Sequence, residues 1–158
     1  MTTGNVRRWL YQGKRPGWIA QLLNRSWATI VSLGLGGDLY VTLEMRGRKS
    51  GKLVSLPLVV AMVDGQRYLV SMLGEDVHWV KNVRAADGKV VLKHGHRENV
   101  QLDEVPVDQR APIIKAYLLR ATGARPHIAV DKDAPLAEFE AVAADYPVFK
   151  VVPLNPSN

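Results

Sequence analysis

Six short apolar stretches recur along the chain, each bounded by glycine, proline or charged residues, and this pattern is typical of β-strands. Asp64-Gly65 separates the second stretch from the third and is a strong signal for a tight hairpin turn. Pro57 indicates an edge position or a bulge, because proline cannot donate a backbone hydrogen bond. The predicted strands cover residues 39–45, 53–63, 67–73, 89–94, 97–105 and 148–152.

Other stretches show helical periodicity. From Trp18 to Val31, apolar residues recur at three- and four-residue steps, as an amphipathic helix requires, and the glycines at 34–37 end it. Three shorter helices are predicted farther along the chain. They cover residues 76–86, a stretch ending near Thr122 with Asp108 as N-cap, and a stretch through Leu136, Phe139 and Val142 with Asp133 as N-cap.

The order of these elements predicts the fold. Consecutive hairpins with short connections leave little room for parallel crossovers, so the strands form an antiparallel sheet closed into a barrel. The predicted class is α+β, mainly β, with an N-terminal amphipathic helix and short helices covering the barrel. We expect a basic amphipathic region over residues 1–37 and a barrel domain over residues 38–158.

Composition narrows the functions. The chain has 158 residues, 47% of them hydrophobic, which is enough for one sizeable core. Its 21 Lys and Arg against 15 Asp and Glu favour an anionic partner. The absence of cysteine excludes disulfides, thiolate catalysis and cysteine-bound metals. His94 and His96 are the nearest approach to a metal pair, but Gly95 favours a turn there, and we predict no metal site.

The N-terminal region has an unusual charge distribution. No acidic residue precedes Asp38, and three tryptophans accompany the arginines and lysines of this region. Such a segment suits an anionic membrane surface, which would be contacted through residues 7–31, or else it packs on the barrel as an ordinary helix. No apolar run approaches the roughly 20 residues of a spanning helix. We therefore expect a cytoplasmic protein, with membrane association left open.

A basic turn stands between the first two predicted strands. Arg46, Arg48, Lys49 and Lys52 lie within seven residues, together with two glycines and Ser50. Such a turn can surround a phosphate or carboxylate with charged and backbone donors. The spacing does not match a P-loop. The alternative is a solvated hairpin whose charges keep an edge soluble.

Four features then follow in a fixed order: the RKSGK turn, Pro57, the segment at residues 71–74, and Trp79 with Asn82 three residues later. Together they resemble the deazaflavin-dependent nitroreductase family, whose members share a basic KSGK turn, a following strand with a proline, and a W-x-x-N segment. The similarity extends from about residue 39 to residue 105. It implies a split β-barrel that binds the deazaflavin coenzyme F420, a hydride carrier with a phosphate and an oligoglutamate tail.

The resemblance also implies a cofactor site. The basic turn would face the phosphate and tail, residues 71–74 would lie along the ring, and Trp79 and Asn82 would project together beside it. Family members often have arginine where this chain has Val54, so Arg46 or another cation would have to compensate. The implied cofactor-binding residues are Arg46, Arg48, Lys49, Ser50, Gly51, Lys52, Pro57, Ser71, Met72, Leu73, Gly74, Trp79 and Asn82.

The activity implied is that of an oxidoreductase, which transfers a hydride from reduced F420 to an electron-poor quinone, enone or nitro compound. The tyrosine-rich stretch that closes over the substrate in better-known family nitroreductases is replaced here by residues 124–130, so nitro reduction does not carry over. His127 and Tyr117 are the candidate catalytic proton donors, with Tyr146 as a further hydroxyl. For each of them, packing alone is the alternative.

Other functions are consistent with the same barrel. It could bind FMN, or hold a coenzyme or lipid without turnover, because a fold does not dictate its cofactor. Nucleic acid is not expected, since the cations are not interleaved with aromatic residues along a sheet face. Split barrels of this kind are often dimers, so a homodimer is a further expectation.

Overall fold

The computed structural model describes residues 40–154. Within them, six antiparallel strands form a closed barrel in the order β1-β2-β3-β6-β5-β4, which confirms the predicted architecture. The predicted N-terminal helix, the membrane-contacting segment and the region over residues 1–37 lie outside the described residues. The strands are β1 (Tyr40–Arg46), β2 (Leu53–Val63), β3 (Gln66–Val70), β4 (Lys89–Lys93), β5 (Arg97–Glu104) and β6 (Val148–Pro153).

Among the described residues, three α-helices accompany the barrel: α1 (His78–Ala85), α2 (Ala111–Arg120) and α3 (Leu136–Val142). Helix α1 contributes Val80 and Val83 to a hydrophobic cluster formed with residues from all six strands. Helices α2 and α3 pack together in a second cluster, which includes Phe139 and residues of β2, β3 and β6. None of the helices among the described residues is long and apolar enough to cross a membrane.

The two predicted N-caps are wrong. Helix α2 follows Arg110 and helix α3 follows Pro135, and neither start has a side-chain capping bond. Asp108 lies two residues before Arg110, in the 3₁₀ turn Val107–Gln109, because Pro112 favours the first turn of the helix that begins at Ala111. Asp133 instead forms an ion pair with Lys132.

The second strand is paired differently along its length. Residues 53–59 of β2 pair with β1, whereas only residues 60–63 pair with β3. Pro57 stands opposite Thr42 in the part without β3, which confirms its predicted edge position. Among residues 40–154, only β1 pairs with this part of β2, and its other side contributes to the cavity described below.

The third strand is shorter than predicted. It ends at Val70 instead of residue 73, because the chain turns sharply at Ser71. The Ser71 backbone N–H donates to the Pro147 carbonyl at 2.9 Å, and its hydroxyl donates to the Gly74 carbonyl at 2.7 Å. Residues 71–74 therefore form a compact turn instead of extending the sheet.

Candidate functional site

The basic turn closes the β1–β2 hairpin. The Gly47 N–H donates to the Lys52 carbonyl at 2.8 Å, and the Gly51 N–H donates to the Gly47 carbonyl at 2.9 Å. Gly51 has a φ of 68°, in the left-handed region that favours glycine. Val54 follows directly and packs against the barrel cluster, so no cation occupies the position where arginine was expected. The two glycines therefore give the turn its shape.

Asn82 of α1 holds this turn in place. Its Oδ1 atom accepts hydrogen bonds from the Arg48 backbone N–H at 3.1 Å and from Arg48 Nη1 at 2.9 Å. Asn82 is only 4% exposed. On the other side of the turn, Arg46 Nη1 donates to the Gly51 carbonyl at 3.3 Å. Both arginines thus take part in building the turn, in addition to supplying positive charge.

The lysines of the turn differ from the arginines. Lys49 and Lys52 are exposed, and neither ammonium group has a hydrogen-bond or ion-pair partner within residues 40–154. Ser50 Oγ accepts a hydrogen bond from the Lys52 backbone N–H at 3.2 Å. Two cations on a shaped loop are therefore available to an anionic ligand.

Replacement of Asn82 by alanine should loosen the turn. The substitution removes the acceptor for two Arg48 donors, so we expect the free energy of unfolding to fall by about 1–3 kcal/mol. Denaturant unfolding measures this change. We expect Asn82→Asp to retain more of the stability, because a carboxylate still accepts from Arg48. Equal losses in the two variants would contradict this account of Asn82.

A mainly apolar cavity of about 370 Å³ lies beside β2, between α1 and α2. This volume is within the usual range for small-molecule sites, which is about 300–1,000 Å³. Five of the residues predicted from the sequence come together here, and residues 121–124, which follow α2, close the opposite side. The lining residues are Tyr40, Leu56, Pro57, Leu58, Val59, Val70, Met72, Leu73, Trp79, Tyr117, Ala121, Thr122, Gly123 and Ala124.

Two of the backbone amides in the turn at residues 71–74 are already bonded within the protein. The Ser71 N–H is used by Pro147, and the Gly74 N–H donates to the Ser71 carbonyl at 3.2 Å. Met72 and Leu73 line the cavity, and their N–H groups have no partner among the described residues. Gly74 is buried with a φ of 93°, and a Cβ there would lie 3.3 Å from the Asp145 carbonyl oxygen. Glycine therefore permits this tight turn.

Helix α1 links the cavity to the basic turn. Trp79 lines the cavity and packs at a tilt against Phe149, with their ring centroids 5.6 Å apart. Asn82, one helical turn later, bonds to Arg48 instead. The two residues were expected to project together beside one ligand group. They instead serve two neighbouring parts of the site.

The polar groups of the cavity are mainly hydroxyls. Tyr117 is only 4% exposed and lines the cavity. Burial raises the pKa of Tyr117, and the nearby Tyr40 raises it further. The phenol therefore stays protonated at neutral pH and can donate a hydrogen bond. Tyr40 and Thr122 also line the cavity, and sequence analysis identified neither.

The other candidate proton donors lie elsewhere. His127 is buried and is not among the residues that line the cavity. Its carbonyl accepts a hydrogen bond from the Tyr146 hydroxyl at 3.3 Å, and that hydroxyl accepts one from the Ala129 N–H at 3.0 Å. Tyr146 therefore fastens the segment around His127. A catalytic role for His127 stays a prediction from the sequence.

The His94–His96 segment is a turn, as predicted, with the His94 N–H donating to the His96 carbonyl at 3.0 Å. Within residues 40–154, no group of three or more histidine or carboxylate side chains is placed to hold a metal ion.

An antiparallel barrel with a cationic turn beside an apolar cavity is typical of barrel proteins that bind an elongated ligand with an anionic end. The residues present fit such a group, because α1 contacts the basic turn through Asn82 and the apolar cavity through Trp79. The family model for F420H(2)-dependent quinone reductases matches residues 17–123. The chain belongs to this family. It is an F420-dependent oxidoreductase, and reduced F420 is its cofactor.

Solved structures agree with the barrel fold. An F420-H2-dependent reductase (FDR-A) is 25% identical, with a TM-score of 0.44, over 72% of this chain and 93% of that one. A protein of unknown function from Agrobacterium tumefaciens gives a TM-score of 0.54 at 12% identity, over 80% of this chain and 53% of that one. A nimc/nima family protein from Clostridium acetobutylicum gives a TM-score of 0.50 at 13% identity, over 79% of this chain and 81% of that one. None of the curated proteins matches this chain.

Proposed function

We propose that this protein reduces a quinone with a hydride from reduced F420, and that both reactants meet in the cavity beside β2. The observation that carries the proposal is the position of α1, which reaches the basic turn through Asn82 and the cavity through Trp79. A molecule that is flat at one end and anionic at the other would contact both. The quinone description of the family supports this choice of acceptor.

The chain has distinct groups for the two ends of the cofactor. Lys49 and Lys52 would bind the phosphate and the carboxylate tail, because charge-assisted hydrogen bonds are stronger than neutral ones. The free N–H groups of Met72 and Leu73 would orient the deazaflavin ring against Trp79. When bound, reduced F420 supplies the hydride. The protein's contribution is to hold donor and acceptor in contact and to exclude water.

The acceptor would occupy the side of the cavity beneath α2. Apolar walls suit a planar quinone, and Tyr117 offers a buried hydroxyl to one of its carbonyl oxygens. A fixed donor at this oxygen stabilises the negative charge that develops there as the hydride arrives. Because its pKa is raised, Tyr117 is better suited to donating a hydrogen bond than to releasing a proton, and solvent would complete the protonation.

A parallel assay tests the proposal. The purified protein is titrated with F420 and with FMN, and the oxidation of reduced F420 is then followed with a quinone, an enone and a nitroaromatic compound. We expect F420 to bind more tightly than FMN and the quinone to give the highest kcat/KM. Tight F420 binding without turnover of any acceptor would instead indicate a coenzyme-binding protein. A preference for the nitroaromatic compound would rule out the proposed acceptor.

A further inference from the structure

His78 stands at the edge of the basic turn, although nothing in the sequence pattern singled it out. It is the first residue of α1 and is exposed to solvent. Its Nδ1 atom lies 3.5 Å from Nη2 of Arg48, the arginine that Asn82 holds in place. The imidazole is therefore brought next to the turn by the same contacts that shape the turn.

This contact fits one tautomer of the His78 ring. Since a guanidinium group can only donate hydrogen bonds, Nδ1 accepts from Arg48 in the tautomer whose proton is on Nε2. The Nε2–H group is on the opposite side of the ring from Arg48. His78 therefore has a donor left over for a further partner, and Arg48 behind it supplies positive charge.

The charges around His78 favour an anion. Arg48 lies beside His78, and the carboxylate of Asp76, two residues earlier in the chain, is already in an ion pair with Lys81. The guanidinium of Arg48 is partly committed to Asn82, which leaves the imidazole as an additional donor on this side of the turn.

We infer that His78 is a phosphate-binding residue, whose Nε2–H donates a hydrogen bond to the phosphate of F420. This inference rests on the proposed function, since it assumes that the basic turn holds the anionic end of the cofactor. It adds a residue from α1 to a site otherwise formed by the turn. The same helix would thus contact the phosphate through His78 and the ring through Trp79.

Binding measurements with two ligands test this role. F420 is compared with the deazaflavin chromophore that lacks phosphate, lactate and glutamates, using the fluorescence of the deazaflavin. We expect His78→Ala to raise the Kd for F420 by about five- to thirtyfold, as loss of one exposed hydrogen bond to a charged group would, and to leave chromophore binding unchanged. His78→Gln keeps an N–H donor and should restore most of the affinity.

Controls separate this inference from the proposed function. His96→Ala removes an exposed histidine from the β4–β5 turn and should not alter F420 binding. If Lys49→Ala/Lys52→Ala weakens F420 binding while His78→Ala does not, the His78 inference fails and the proposed function stands. If the lysine variant has no effect either, the proposed cofactor site fails as well. Equal weakening of F420 and chromophore by His78→Ala, or no recovery in His78→Gln, would also overturn the role of His78.

Discussion

Replacement of both Lys49 and Lys52 by alanine is expected to raise the Kd for F420 by about 30- to 1,000-fold at low salt. A hydrogen bond to a charged group contributes roughly 1.5–3 kcal/mol. Because both lysines are exposed, we reduce this to about 1–2 kcal/mol each. The sum, about 2–4 kcal/mol, gives the stated range. Fluorescence titration at low and high ionic strength measures it, and the loss should shrink as salt screens the charges.

A matched variant controls for the change in net charge. Lys89→Ala/Lys150→Ala also removes two exposed cations, but neither residue belongs to the basic turn or to the cavity lining. This control should leave the Kd nearly unchanged, and both double variants should unfold at close to the wild-type temperature. An unchanged Kd in Lys49→Ala/Lys52→Ala at low salt would indicate that the turn is only a solvated hairpin and does not bind the cofactor.

Replacement of Tyr117 by phenylalanine is expected to lower kcat/KM for the quinone by about 10- to 100-fold, while the Kd for F420 stays within about twofold. The lost hydroxyl is the buried donor that would face the acceptor oxygen, and loss of one such donor typically costs a factor of this order or more. Steady-state kinetics with reduced F420 and one quinone, alongside F420 titration, separates the two effects.

The raised pKa of Tyr117 also predicts how kcat depends on pH. Because burial and Tyr40 raise its pKa, Tyr117 should remain protonated through pH 9, and no fall in kcat near pH 10 should arise from it. Tyr68→Phe is the matched control, since Tyr68 packs outside the cavity lining. A similar kinetic loss in both variants, or a change in F420 affinity in Tyr117→Phe, would contradict the role given to Tyr117.

The barrel could be predicted from the sequence because the pattern that marks a strand involves only residues close together in the chain. The six predicted strands correspond to β1 through β6, and Pro57 correctly marked an uncovered part of β2. The ends of elements were less predictable. Asp108 and Asp133 have the right side chain for a cap, yet Pro112 and Pro135 are nearer to the actual helix starts. The third strand ended early because Ser71 bonds to Pro147, a contact between residues distant in sequence.

The site was predictable only in part. The basic turn is contiguous in sequence, so its residues could be identified together. The cavity is assembled from β1, β2, α1 and α2, and nothing local indicates that Tyr40 and Thr122 meet there. The bond from Arg48 to Asn82 likewise joins residues 34 positions apart. Helical spacing placed Trp79 and Asn82 close together, but only the packing decided that they face different parts of the site.

The pairing of β1 with β2 has a consequence for protein engineering. Each residue from Tyr40 to Arg46 has a partner between Val59 and Leu53, without interruption. The loop at positions 47–52 therefore connects Arg46 to Leu53, which are paired with each other at the end of the two strands. A loop of equal length could be exchanged as a cassette without shifting the strands. We expect a set of variants with exchanged loops to differ in their affinity for the anionic tail of the cofactor and to keep the same cavity lining.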